Sequence, residues 1–135
     1  MSNYNLSTKQ FFKFKTSEGI ELNGWVLKPQ NFDSTKKYPV LMYMYGGPGH
    51  QTVLNTWMGT YYLWFQHLAA QGYIVVSVDN RGTGGKGAEF KKCTYGHLGE
   101  LETQDQISAA RYLSTLPYVD VTRIGVWGWS YGGYM

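Results

Sequence analysis

Apolar and polar residues alternate over residues 11–15 and again over residues 20–27, where Ile20, Leu22, Trp25 and Leu27 carry the apolar side chains. Alternation of this kind marks a half-buried strand. The turn Ser17-Glu18-Gly19 between the two runs predicts a hairpin. Residues 29–37 are a polar loop. The continuous apolar run over residues 39–45 predicts a strand buried on both faces, and Gly46-Gly47-Pro48-Gly49 ends it. Bulky apolar groups at mixed helical spacing over residues 57–71 predict a helix that stops at Gly72. Residues 73–78 predict the next buried strand. A glycine-rich loop over residues 79–87 follows, then an irregular stretch over residues 88–99. Residues 100–116 predict a helix whose apolar face is Ile107, Ala110 and Leu113, with acidic residues early, where they complement its dipole. Pro117 closes it, and residues 124–129 predict one more buried strand. Strands alternating with helices imply parallel βαβ units, so the fold class is α/β, entered through an antiparallel hairpin.

Composition narrows the function. The 135 residues are 43% hydrophobic and 16% charged, enough to bury a core within one domain. Aromatics reach 17%, which serves core packing and, on a sharper reading, a pocket for apolar or ring-shaped side chains. The net charge of +3 is spread over the chain in basic runs of no more than two residues, which argues against a nucleic-acid partner. Cys93 stands alone and forms no internal disulfide. No apolar stretch approaches the roughly 18 residues of a transmembrane span. The first seven residues lack the basic head and apolar body of a signal peptide.

The residues that carry chemistry are Gly128-Trp129-Ser130-Tyr131-Gly132, which fit G-x-S-x-G directly after a predicted strand. In this arrangement the serine occupies a very tight strand-to-helix turn, and the flanking glycines let the backbone pack closely. The Ser130 hydroxyl is then pushed out where a base can reach it. The N–H of Tyr131 faces the place where a carbonyl oxygen would become an oxyanion. Tyr45-Gly46-Gly47-Pro48-Gly49 ends an earlier strand, the place from which such folds draw a second oxyanion donor. Gly82-Thr83-Gly84-Gly85-Lys86-Gly87 matches G-x-G-x-x-G, but the irregular residues after it and the absence of a well-placed acidic partner argue against a dinucleotide. His50, His67 and His97 all precede Ser130, whereas this fold orders nucleophile, acid, histidine. His67 is expected on a helix surface, His97 in a loop, and His50 beside the oxyanion turn. No metal-ligand spacing occurs, and no metal or cofactor is expected.

Residues 128–135, Gly-Trp-Ser-Tyr-Gly-Gly-Tyr-Met, resemble the active-serine segment of the prolyl oligopeptidase family, close to its dipeptidyl peptidase IV branch. Tyr43-Met44-Tyr45-Gly46-Gly47-Pro48, Val78-Asp79-Asn80-Arg81-Gly82-Thr83-Gly84, and Leu98-Gly99 with Glu102, Asp105 and Gln106 agree in the family's order. The resemblance implies an α/β-hydrolase fold and a serine exopeptidase that releases short N-terminal peptides, often after proline. It implies Ser130 as nucleophile and Tyr45 as the tyrosine whose hydroxyl joins the oxyanion hole with the Tyr131 N–H. The Tyr131 side chain matches a wall of the pocket for the residue before the cut, and Trp129 is placed with it as substrate-binding. On this reading, residues 1–135 are part of a catalytic domain truncated after the nucleophile elbow, with no propeller domain. The family's aspartate and histidine are not reached, so the isolated chain should be nearly inert. Its last strand should lie at an exposed sheet edge prone to self-association. Tripeptidyl or acyl-peptide cleavage, and a non-catalytic binding module on the same scaffold, are the alternatives. The family branch suggests a periplasmic or exported enzyme.

Overall fold

The computed structural model of the protein describes residues 5–135. Strands β1 (Gln10–Lys15) and β2 (Glu21–Leu27) form the expected antiparallel hairpin. Strand β3 (Tyr38–Met44) leads through helix α1 (Thr60–Ala70) to β4 (Ile74–Asp79). Helices α2 (Gly87–Lys92) and α3 (Glu100–Ser114) then lead to β5 (Val119–Gly128), and the turn α4 (Tyr131–Tyr134) follows. The sheet order is β1-β2-β4-β3-β5. β2 pairs antiparallel with β4, while β3 runs parallel to both β4 and β5. The three parallel strands therefore deliver their C-terminal ends to one edge of the sheet, where open α/β sheets build their sites.

Strand alternation divides the core between the two faces. Val40, Met42 and Met44 of β3 join Ile74, Val76 and Val78 of β4 on the face packed by Ala109 and Leu113 of α3. Tyr43 and Val75 point to the opposite face, where Phe65 and Ala69 of α1 meet Trp25 and Leu27. Every residue of β4 is buried, as expected for a strand covered on both sides. Trp25, Leu27 and Phe65 have no exposed surface, and burial of side chains this size is worth about 1.5–3 kcal/mol each. Gly24 lies opposite Phe12 on β1, whose ring fills the space a side chain would take. Helix α1 ends in a Schellman arrangement: Tyr73 N–H donates to Leu68 and Gly72 N–H to Ala69, with Gly72 at φ 88°.

Three expectations need correction. The stretch over residues 88–99 is not wholly irregular, because α2 opens at Gly87; its six residues bury no side chain, so no apolar period announced it. Helix α3 does not bury Ile107, which is 46% exposed, but Glu102, Asp105 and Gln106 along with Ala109 and Leu113. Strand β5 begins at Val119 and is largely exposed, with Val126 at 68%, because among the described residues it pairs only with β3. Among the described residues, no helix is long and apolar enough to cross a membrane.

Candidate active site

The turn from β5 into α4 is tight because its glycines admit backbone where a side chain would sit. A Cβ on Gly128 would meet the Gly132 carbonyl and lie 2.7 Å from the Met44 carbonyl oxygen. A Cβ on Gly132 would meet that same Met44 oxygen and lie 3.1 Å from the Tyr45 Cα. The elbow thus nests on the end of β3. Ser130 has φ 56° and ψ −115°, and among the described residues it alone has positive φ without being glycine. Such a conformation is unfavourable for a side-chain-bearing residue and persists only where its surroundings enforce it. The Ser130 carbonyl accepts the N–H groups of Gly133 at 2.9 Å and Tyr134 at 3.1 Å, so α4 grows directly from the serine. Ser130 is exposed. Tyr131 is the first residue of α4, and its N–H precedes the ladder that Gly132 begins by donating to Trp129.

Tyr45 and the glycines after it close one side. The Tyr45 ring lies 4.5 Å from His50, edge-on, and 6.3 Å from Tyr131 between centroids. Gly47 fits between the two tyrosines: a Cβ there would come within 2.6 Å of Tyr45 and 3.2 Å of Tyr131. Gly46, at φ 70°, leaves room for the Asn80 side chain, whose Nδ2 donates to the Gly46 carbonyl at 3.0 Å. His50 is exposed beside Tyr45, His67 lies on the surface of α1, and His97 in a loop. Trp129 is 72% exposed.

Beneath these groups is a polar framework that apolar periodicity did not reveal. Gln106 Nε2 donates to Asn80 Oδ1 at 3.0 Å and to the Val78 carbonyl at 2.9 Å. Asp105, fully buried, receives the Arg81 backbone N–H at 2.7 Å and the Arg81 guanidinium at 2.8–3.1 Å. Hydrogen bonding to Asp105 holds the Arg81 pKa above its ordinary value. Glu102, also fully buried, accepts the Tyr131 hydroxyl at 2.7 Å and the Gly99 N–H at 3.0 Å. Burial, and then the Glu102 carboxylate, push the Tyr131 phenol up to about 12. The signal for this framework lay in the motif residues Asn80, Arg81, Glu102, Asp105 and Gln106, a polar set whose partners lie far apart in sequence. On the other side of β4, Asp79 accepts Thr52 N–H, Thr52 O–H and Val53 N–H at 2.8–3.1 Å, yet burial raises its pKa above the usual carboxylate range.

The run Gly82 to Gly87 packs against the turn that follows β3. Gly49 N–H donates to the Gly82 carbonyl at 2.9 Å, and a Cβ on Gly84 would come within 2.9 Å of the Gly49 carbonyl oxygen. The space beside Gly85 is filled by Gln51. These glycines serve the approach of one loop to another. Among the described residues, no three His, Cys, Asp or Glu side chains converge as a metal site would require.

The sequence profile described as the prolyl oligopeptidase family matches residues 60–135. A protein named probable dipeptidyl-aminopeptidase B from Trichophyton verrucosum is 51% identical over 122 residues, covering 89% of this chain and 13% of the relative. A protein of the same name from Paracoccidioides lutzii is 46% identical over 133 residues, covering 98% and 14%. The crystal structure of Porphyromonas gingivalis dipeptidyl peptidase 4 superposes with a TM-score of 0.90 at 50% identity, covering 97% of this chain and 18% of that one. The chain therefore spans only 13–14% of the length of these curated relatives.

Proposed function

The chain belongs to the prolyl oligopeptidase family, and from that premise we propose that residues 1–135 are part of an α/β-hydrolase catalytic domain in which Ser130 is the nucleophile of a serine peptidase. The observation that carries this reading is the backbone of Ser130, the sole non-glycine residue at positive φ among those described, at the end of a parallel strand. Nothing in the packing of a simple strand-to-helix turn calls for that conformation, but presentation of a reactive hydroxyl does.

In the proposed reaction Ser130 Oγ attacks the carbonyl carbon of a peptide bond while a histidine takes its proton. The tetrahedral intermediate collapses with departure of the amine, which receives that proton, and water then hydrolyses the acyl-enzyme. The Tyr131 N–H and the Tyr45 hydroxyl stabilise the oxyanion. The Tyr131 ring and the exposed Trp129 flank the substrate residue before the cut. The histidine and its acidic partner come from residues outside these 135, because all three histidines of the chain precede Ser130. The relatives' names support release of N-terminal dipeptides as the activity of the full-length protein. The open edge of β5 is the proposed route to self-association when the 135 residues stand alone.

The test is hydrolysis of a Gly-Pro chromogenic amide by the full-length protein and its Ser130→Ala variant, with fluorophosphonate labelling of the serine. Turnover and labelling that both vanish in Ser130→Ala are expected. A folded full-length protein with neither would point to a binding module, and release of tripeptides only would replace the dipeptidyl assignment.

A further inference from the structure

Glu102 has no exposed surface, and its two oxygens have different tasks. Oε2 accepts the N–H of Gly99 at 3.0 Å, reaching back from the first turn of α3. A capping glutamate of this kind works equally well on a surface, so capping does not account for the burial. Removing a carboxylate from water is strongly unfavourable unless donors surround it. No ion pair to Glu102 occurs among the described residues, and the Arg81 guanidinium is engaged with Asp105 and Glu18. What burial adds is the bond at Oε1, which accepts the hydroxyl of Tyr131 at 2.7 Å from a residue 29 positions away.

That bond fixes a side chain at both ends. The Cα of Tyr131 is set by the elbow, since Ser130 precedes it and the Gly132 backbone lies against Met44. Its oxygen is set by Glu102. The ring between them stands 6.3 Å from Tyr45 and 5.5 Å from Tyr134, with Gly47 against its inner end. A tyrosine has two side-chain torsions, and anchoring both ends leaves neither free. A phenol with its ordinary pKa of about 10 already keeps its proton throughout the neutral range, and burial raises that of Tyr131 further.

We propose that Glu102 is a positioning residue of the substrate pocket: by holding the Tyr131 hydroxyl it makes the ring beside Ser130 a rigid wall, and so sets discrimination by shape at the residue before the cleaved bond. The inference rests on the reading of Ser130 as nucleophile and Tyr131 as pocket wall. A fixed flat wall favours a compact ring such as proline, which packs on it without loss of further torsional freedom. A wall free to turn accepts proline and alanine more equally.

The test uses the full-length protein and the ratio of kcat/KM for Gly-Pro and Gly-Ala chromogenic amides. Tyr131→Phe keeps the ring and deletes the tether; it should lower that ratio about fivefold or more, mainly through KM, since a hydrogen bond to a charged group is lost. Glu102→Leu should do the same, and the double variant should be no worse than either single one. Glu102→Gln can keep its oxygen on Gly99 N–H and donate its amide to the Tyr131 oxygen, so it should hold the ratio within about twofold. If Glu102→Leu fails to fold, Tyr131→Phe decides alone. A native melting temperature with an unchanged ratio in Tyr131→Phe overturns the proposal, as does full additivity in the double variant. Ser130→Ala separates the two levels: persistent turnover there defeats the nucleophile assignment, whereas its loss beside an unchanged Tyr131→Phe ratio defeats only the role of Glu102.

Discussion

At the scale of single residues, Tyr45 and Gly132 ask for opposite experiments. Tyr45 is half-buried between His50 and Gly47, so its ring packs while its hydroxyl is not needed by the core. In the full-length protein Tyr45→Phe should lower kcat by about 10²–10³, the effect of removing one oxyanion donor, with KM and melting temperature little changed. A near-native kcat would leave Tyr45 as a packing aromatic only. Gly132 is a structural demand. Its Cβ position coincides with the Met44 carbonyl, which is backbone and cannot swing aside. Gly132→Ala should destabilise by about 1–3 kcal/mol or more and displace Ser130, lowering both stability in urea and turnover. An alanine variant with wild-type stability would mean that β3 and the elbow are not in contact.

At the scale of elements, α3 works as a polar clamp on the loop after β4. Asp105→Ala removes the buried partner of an Arg81 side chain that is only 12% exposed, leaving its charge to the exposed Glu18 alone. Loss of one member of a buried pair costs about 3–5 kcal/mol. Glu21→Ala breaks the exposed pair with Lys13 on the hairpin and should cost far less, because solvent screens that pair. Equal losses in chemical denaturation would refute the clamp. The end of β4 carries a pH signature. Burial raises the folded pKa of Asp79 above an unfolded value of about 3.9. The stability this group contributes is therefore full below that value and falls as pH rises through the folded pKa. Measured against Asp79→Asn, the wild-type protein should be relatively most stable at about pH 4 and lose ground as pH rises from there. A difference independent of pH would show that its three donors cancel the effect of burial.

At the scale of the whole molecule, the sheet is covered on both faces at β4 but open along β5. Val121 and Val126 are more than half exposed there, and Trp129 continues the apolar surface. An unpaired edge with apolar side chains is a template for another chain. The 135 residues expressed alone should associate, and light scattering should give a mass above 15.4 kDa that rises with concentration. A monodisperse monomer at high concentration would mean that the edge is protected.

Period-two alternation placed the hairpin, and continuous apolar runs, helical spacing and glycine punctuation placed β3, α1 and β4 to within a few residues, because these signals are local and each element buries its own apolar side chains. The elbow was legible for the same reason, since its glycines and serine are adjacent in the chain. Apolar spacing failed on α3, where it chose Ile107 and passed over Glu102, Asp105 and Gln106. Hydrophobicity does not predict burial when a polar group finds a partner, and these partners lie 24–29 residues away at Arg81, Asn80 and Tyr131. The glycines from Gly82 onward match G-x-G-x-x-G, and the residues after them argue against a dinucleotide; only the approach of the Gly49 turn revealed what they accommodate. Sequence by itself determined which segments become strands and which residue is the exposed serine, through periodicity and backbone freedom. Tertiary structure alone decided which carboxylates are buried and what holds Tyr131, because each depends on contacts between segments distant in the chain.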